Sequence, residues 1–157
     1  MWKEILVNDI EGLTKFANIR NTFGCSGTWD YNIVKKILTI KKNCHMFMYE
    51  SDKYDMVLGF KEDAKSGLIV FTTISVGRVK LEDYEESLKI LGRKIRDYLI
   101  KKNNRLSMPS SQGVEELHPN VLRVGFDTMI VMMTKYWKEI GLKLDWEKHG
   151  YIEVEVI

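Results

Sequence analysis

YWKEIGLKLDWEKHGYIEVEVI, residues 136–157, decides how the rest of the chain is read. Its first part ends a helical pattern that runs through TMIVMMTKYWKEI, Thr128 to Ile140. Gly141 then supplies the residue type that ends helices, because it tolerates a left-handed backbone without a Cβ clash. Beyond the glycine the apolar period falls to two. LKLDW and YIEVEVI alternate around the turn-like EKHG and predict a terminal β-hairpin.

Upstream, the clearest helical signal is LEDYEESLKILGRKIRDYLIKKN, residues 81–103. Tyr84, Leu88, Leu91, Ile95 and Tyr98 fall on one stripe. Glu82, Asp83, Glu85 and Glu86 stand at its start, and Arg93, Lys94, Arg96, Lys101 and Lys102 toward its end. That polarity complements the helix dipole. Before it, CHMFMYES, DMVLGFKED and GLIVFTTISV read as three strands joined by the turns SDKYD and AKSG, an antiparallel meander. The chain opens with a short strand candidate, WKEILV. A helix with Ile10, Leu13, Phe16 and Ala17 on one face follows, capped by Asn8 or Asp9. After the loop GCSGT, a second helix is predicted, capped by Thr28 or Asp30, with Ile33, Ile37 and Ile40 on one face. Residues 103–126 give weaker signals: RLSMPSS suggests a short strand, and VLRV a loop or a further strand. The order predicts an α+β fold, a mixed, mostly antiparallel central sheet flanked by helices, in a single domain over 1–157.

Composition narrows the classes. At 157 residues, 45% hydrophobic and 29% charged, the chain is ordinary globular material. A net charge of +2 is too mild to imply nucleic acid. The basic end of the long helix is explained by the dipole, so nucleic acid ranks last among partners. Two cysteines and three separated histidines (His45, His118, His149) do not supply the clustered ligands of a structural zinc site. The longest wholly apolar run, Met129 to Met133, is far shorter than a membrane span, and MWKEILVNDIEG lacks the long apolar region of a signal peptide. The expectation is a cytoplasmic protein with reduced thiols. Cys25 and Ser26 lack an elbow motif around them. The methionines and the four tryptophans read first as core.

The element order resembles the GNAT superfamily of N-acetyltransferases. Three stretches are similar to that family's pattern: MVLGF at 56–60, LIVFTTISV at 68–76, and YWKEIGLKL at 136–144. The resemblance implies transfer of an acyl group from acetyl-CoA to an unidentified amine, on a small molecule or a protein. It implies that strand four, through Ile74 and Val76, and the following Gly77 and Arg78 hold the acyl carrier. In the family this loop carries Arg/Gln-x-x-Gly-x-Gly/Ala; here the stretch reads SVGRVKLEDYEESLKILGRK, and Glu82, Asp83, Glu85 and Glu86 oppose a pyrophosphate unless they point away. The family's acid is a tyrosine four residues before the closing glycine. Trp137 stands there, and the adjacent Tyr136 is the candidate acid. Glu50, Asp52 and Glu62, at strand ends, are candidate bases. The other expectation is a non-catalytic, GNAT-like structural or interaction protein, of the kind phages encode, with self-association into a homo-oligomer.

Overall fold

In the computed structural model, which describes residues 1–22, 28–40, 43–65, 67–110, 123–146 and 150–157, polar caps place the first two helices. The Gly12 N–H donates to the Asp9 carboxylate (3.0 Å) at the start of α1 (Ile10–Asn21). The Ile33 N–H donates to Asp30 (3.0 Å) at the start of α2 (Tyr31–Ile40). Leu13, Phe16 and Ala17 are buried as expected, but Ile10 is exposed. In α2 the expected stripe holds at Ile37 and fails at its other two positions. Ile33 and Ile40 face solvent, while Val34 is buried and Ile37 and Leu38 pack beside it. YNIVKKILTI holds two interleaved apolar sets at helical spacing, so periodicity does not decide which one meets the sheet.

Among the described residues seven strands form one sheet: β1 (Trp2–Glu4), β2 (Cys44–Glu50), β3 (Asp55–Glu62), β4 (Ile69–Val76), β5 (Leu106–Pro109), β6 (Leu142–Trp146) and β7 (Tyr151–Val156). Their spatial order is β1-β2-β3-β4-β5-β7-β6. The meander has the register Phe47↔Leu58 and Leu58↔Ile74, and the closing strands pair antiparallel, with Trp146 opposite Ile152. Only the β4–β5 pairing is parallel among the described strands. Because successive side chains alternate between faces, β2 and β3 feed two cores. Met46, Met48 and Val57 pack with α1 and α2. Phe47, Met56, Leu58 and Phe60 pack with the helices of the opposite face.

Those helices are α3 (Tyr84–Lys102), led in by a 3-10 turn at Leu81–Asp83, and α4 (Arg123–Glu139). Leu88, Leu91 and Ile95 are fully buried along the predicted stripe. The last helix begins upstream of the expected Thr128 and takes in Arg123 and Val124, so that part of VLRV is helix and not strand. Val124 and Gly125 are weak helix formers, and burial of Met129, Ile130 and Met133 overrides them. The α3–α4 seam closes on Trp137, which is fully buried and donates its indole N–H to the Leu88 carbonyl (2.9 Å). Gly92 makes room for it: a Cβ there would lie 2.6 Å from Trp137 Cδ1 and 2.6 Å from Ile140 Cδ1. Gly141, at φ +89°, ends the helical segment as its residue type predicts.

Tyr54 and Tyr98 lie on the α3 side of the sheet. Burial, reinforced by Glu86 near Tyr54 and by Glu62 and Glu4 near Tyr98, pushes both hydroxyls up to about 12. A folded-state pKa above the unfolded value of about 10 means that the neutral form is the one folding retains. The associated stability is complete below about pH 10 and lost as pH rises toward 12. Melting temperature should therefore fall across that window, and Tyr54→Phe should flatten the fall. An equal alkaline fall in Y54F and the parent would refute the assignment.

Candidate functional site

The site begins with an irregularity in β4. Pairing with β3 passes from Gly59↔Thr73 to Phe60↔Phe71, so β4 carries one additional residue, Thr72. Such a bulge bends its strand. β4 runs parallel to β5 at Ile69↔Leu106 and Val70↔Ser107, and beyond the bulge no further pairing joins the two among the described residues. β5 continues against β7 as far as Pro109↔Tyr151. The two strands thus cease to pair, leaving the β5-facing backbone of residues 73–76 without a ladder partner among the described residues.

The gap leads into the β4–α3 turn. Lys80 is extended (φ −82°, ψ 152°), and the Asp83 N–H bonds the Lys80 carbonyl (3.0 Å). Among the described residues, the N–H groups of Val79, Lys80, Leu81 and Glu82 have no hydrogen-bond partner. Consecutive unsatisfied amides at the start of a helix are a donor set for anions. A hollow of about 390 Å³ lies beside this turn, lined by Asp52, Lys53, Arg78, Lys80, Glu82 and Asp83. Two of the four acids expected to repel an anion are turned to cations. Glu85 is 3.2 Å from Lys89, and Glu86 is 4.0 Å from Lys53. Glu82 and Asp83 line the hollow.

The structure gathers four of the sequence-derived site residues at this end of the sheet. Ile74 and Val76 direct their side chains into the α3–α4 core, and their backbone borders the gap. The Gly77 N–H donates to the Asp55 carbonyl (2.8 Å). A Cβ on Gly77 would stand 3.0 Å from Ile19 Cγ2 and 3.1 Å from Thr22 Oγ1, so glycine lets the end of α1 close on the strand exit. The Arg78 guanidinium is engaged by the β2–β3 turn. It donates to the Ser51 carbonyl (2.7 Å), to the Asp52 carbonyl (3.0 Å), and through two nitrogens to the Asp55 carboxylate (3.3 Å each). Asp55 holds the arginine pKa above its ordinary value. No local motif announces this staple, because its partners lie more than twenty residues upstream.

Tyr136 stands elsewhere, half-buried in the α3–α4 seam. Its ring centroid is 5.9 Å from Lys89 Nζ and 5.6 Å from Lys135 Nζ. Lys89 bridges Glu85 and Glu139 at 3.2 and 2.8 Å, and Glu139 is held below the ordinary carboxylate range by it. Trp137 occupies the inward-facing position. Of the candidate bases, Glu50 and Asp52 lie at the gap end of the sheet, since Glu50 pairs with Asp55 and Met56 with Val76. Glu62 pairs with Ile69, seven strand positions from Val76 and about 23 Å away along β4. Cys25, Ser26, His118 and His149 lie outside the described residues. Among the described residues, no cluster of three or more His, Cys, Asp or Glu is placed to hold a metal, and no helix is long and apolar enough to cross a membrane.

No protein-family model and no curated protein sequence matches the chain. Solved structures do. An aminoglycoside 6'-acetyltransferase type Ii superposes with a TM-score of 0.60 at 9% identity, covering 99% of this chain and 96% of that one. An N-acetyltransferase from Staphylococcus aureus Mu50 gives 0.52 at 14% identity, covering 98% and 92%. At these identities the likeness is one of architecture, and the architecture that the chain shares with both is the GNAT N-acetyltransferase fold.

Proposed function

We propose that the chain is an acyl-CoA-dependent N-acyltransferase, a single cytoplasmic domain over 1–157 that passes an acyl group to an amine. The observation that carries this reading is the parting of β4 from β5 beyond Thr72, beside the unsatisfied amides at Val79–Glu82. An unpaired strand edge suits an extended, amide-bearing arm, which can add to it as a further strand. Consecutive amides at the following helix start suit a pyrophosphate. Acetyl-CoA has both parts and, when bound, supplies an activated thioester.

The chain's own work is binding and orientation. The backbone of Ile74 and Val76 aligns the carrier, Gly77 keeps the strand exit narrow, and Arg78 fixes the β2–β3 turn that walls the hollow. The departing thiolate needs a proton donor; Tyr136, the candidate by sequence, faces Lys89 and Lys135 in the α3–α4 seam, apart from the gap, and is not given that role. The acceptor amine, on a small molecule or a protein, enters from the end of the sheet that carries Glu50 and Asp52.

Thermal melting with acetyl-CoA tests the reading. A ligand at 100 times its Kd that binds only the folded state adds about 2.7 kcal/mol, a rise of roughly 5–10 °C for a domain of this size. Absence of any shift at millimolar acetyl-CoA would overturn the proposal and leave the fold as a non-catalytic module.

A further inference from the structure

The far end of α3 overhangs the β1–β2 edge of the sheet and encloses a second hollow, of about 250 Å³. Glu4, His45 and Phe47 form its sheet side, and Lys94, Tyr98 and Lys101 its helix side, with Asp97 and Lys102 at the rim. Positions 94, 98, 101 and 102 share one helix face, so the sequence brings three ammonium groups to one place. None of the three forms an ion pair among the described residues. Lys94 Nζ lies 4.2 Å from the Phe47 ring centroid, and Lys102 Nζ lies 6.0 Å from that of Tyr98. The helix dipole explains Lys101 and Lys102 in the last turn, but not Lys94 two turns earlier. Lys94 is half-buried, and burial lowers its pKa, so its charge is held there at a cost. The Tyr98 hydroxyl is shut off from solvent and has no hydrogen-bond partner among the described residues. Glu4 is engaged by His45 at 3.2 Å.

We propose that this hollow binds a small phosphorylated molecule, its phosphate held by Lys94, Lys101 and Lys102 and its remainder against Phe47 and Tyr98. Several point charges without an arginine fork fit a phosphate dianion better than a planar carboxylate. The enclosed size and the flanking Glu4 and Asp97 disfavour a nucleic-acid strand. The site is separate from the β4–α3 turn, since 13 residues of chain, about 20 Å of helix, divide Leu81 from Lys94.

Inorganic phosphate is the probe, titrated at constant ionic strength against chloride and followed by amide NMR shifts. Saturable shifts should concentrate at residues 45–47 and 94–102. The variant K94Q/K101Q/K102Q should bind at least tenfold more weakly, and K101Q/K102Q, changed only at exposed positions, should already be weakened. Leu81→Pro, which alters the other anion-binding amides, should leave the response intact. Shifts centred on residues 79–83, an equal response to chloride, or undiminished binding in both lysine variants would each overturn the proposal.

Discussion

Replacing Trp137 with alanine should destabilise the chain by about 3–5 kcal/mol, the largest stability effect of any single substitution considered. The side chain is fully buried between α3 and α4, and its indole N–H meets the Leu88 carbonyl. Alanine removes the ring contacts and leaves a void around which close-packed helices relax only in part. Trp137→Phe keeps most of the ring and loses the hydrogen bond, so its cost should be smaller. Urea unfolding would read both as a falling midpoint with an unchanged slope. A midpoint within experimental error of the parent for Trp137→Ala would show that the seam does not depend on this residue. Gly92 provides the complementary test: a Cβ at that position meets Trp137 and Ile140 at 2.6 Å, so Gly92→Ala should also be destabilising, through overpacking.

The same tryptophan shows what the sequence could and could not disclose. At four residues before Gly141, Trp137 departs from the tyrosine that the GNAT resemblance implies there, and the structure gives the departure a physical content: the position is a packing anchor. Tyr136, one residue away and turned by about 100°, reaches the lysines of the seam instead. The long helix, the meander and the closing hairpin were legible because each carries one unambiguous period and a clear stop. The second helix was not, because its two apolar sets compete and only contact with the sheet selects Val34. The bulge at Thr72 was invisible in LIVFTTISV, since an added residue within a strand apolar on both faces leaves no break in pattern. β4 and β5 are paired only before that bulge among the described residues, so the irregularity on which the functional reading rests is one that the strand pattern hid. Arg78 was legible as a cation after β4, but its engagement by Ser51, Asp52 and Asp55 depends on tertiary placement.

Leu81→Pro should weaken acetyl-CoA binding by about 10–100-fold while leaving the fold intact. Leu81 opens the 3-10 turn, its side chain is 89% exposed, and its N–H has no partner among the described residues. Proline is well tolerated at the first helical position, where the amide is unsatisfied in any case. It also asks the preceding residue to be extended, which Lys80 already is at φ −82° and ψ 152°. The substitution therefore deletes one hydrogen-bond donor with little else changed, and the restricted unfolded chain should add about 0.4–1 kcal/mol of stability. A hydrogen bond to a charged group contributes about 1.5–3 kcal/mol, which sets the expected loss of affinity. Calorimetric titration of both proteins with acetyl-CoA separates the outcomes. Weaker binding together with an unchanged or higher melting temperature places the pyrophosphate on this turn. Equal affinity in the two proteins would remove the β4–α3 amides from the binding site, even if acetyl-CoA still bound along the unpaired edge of β4.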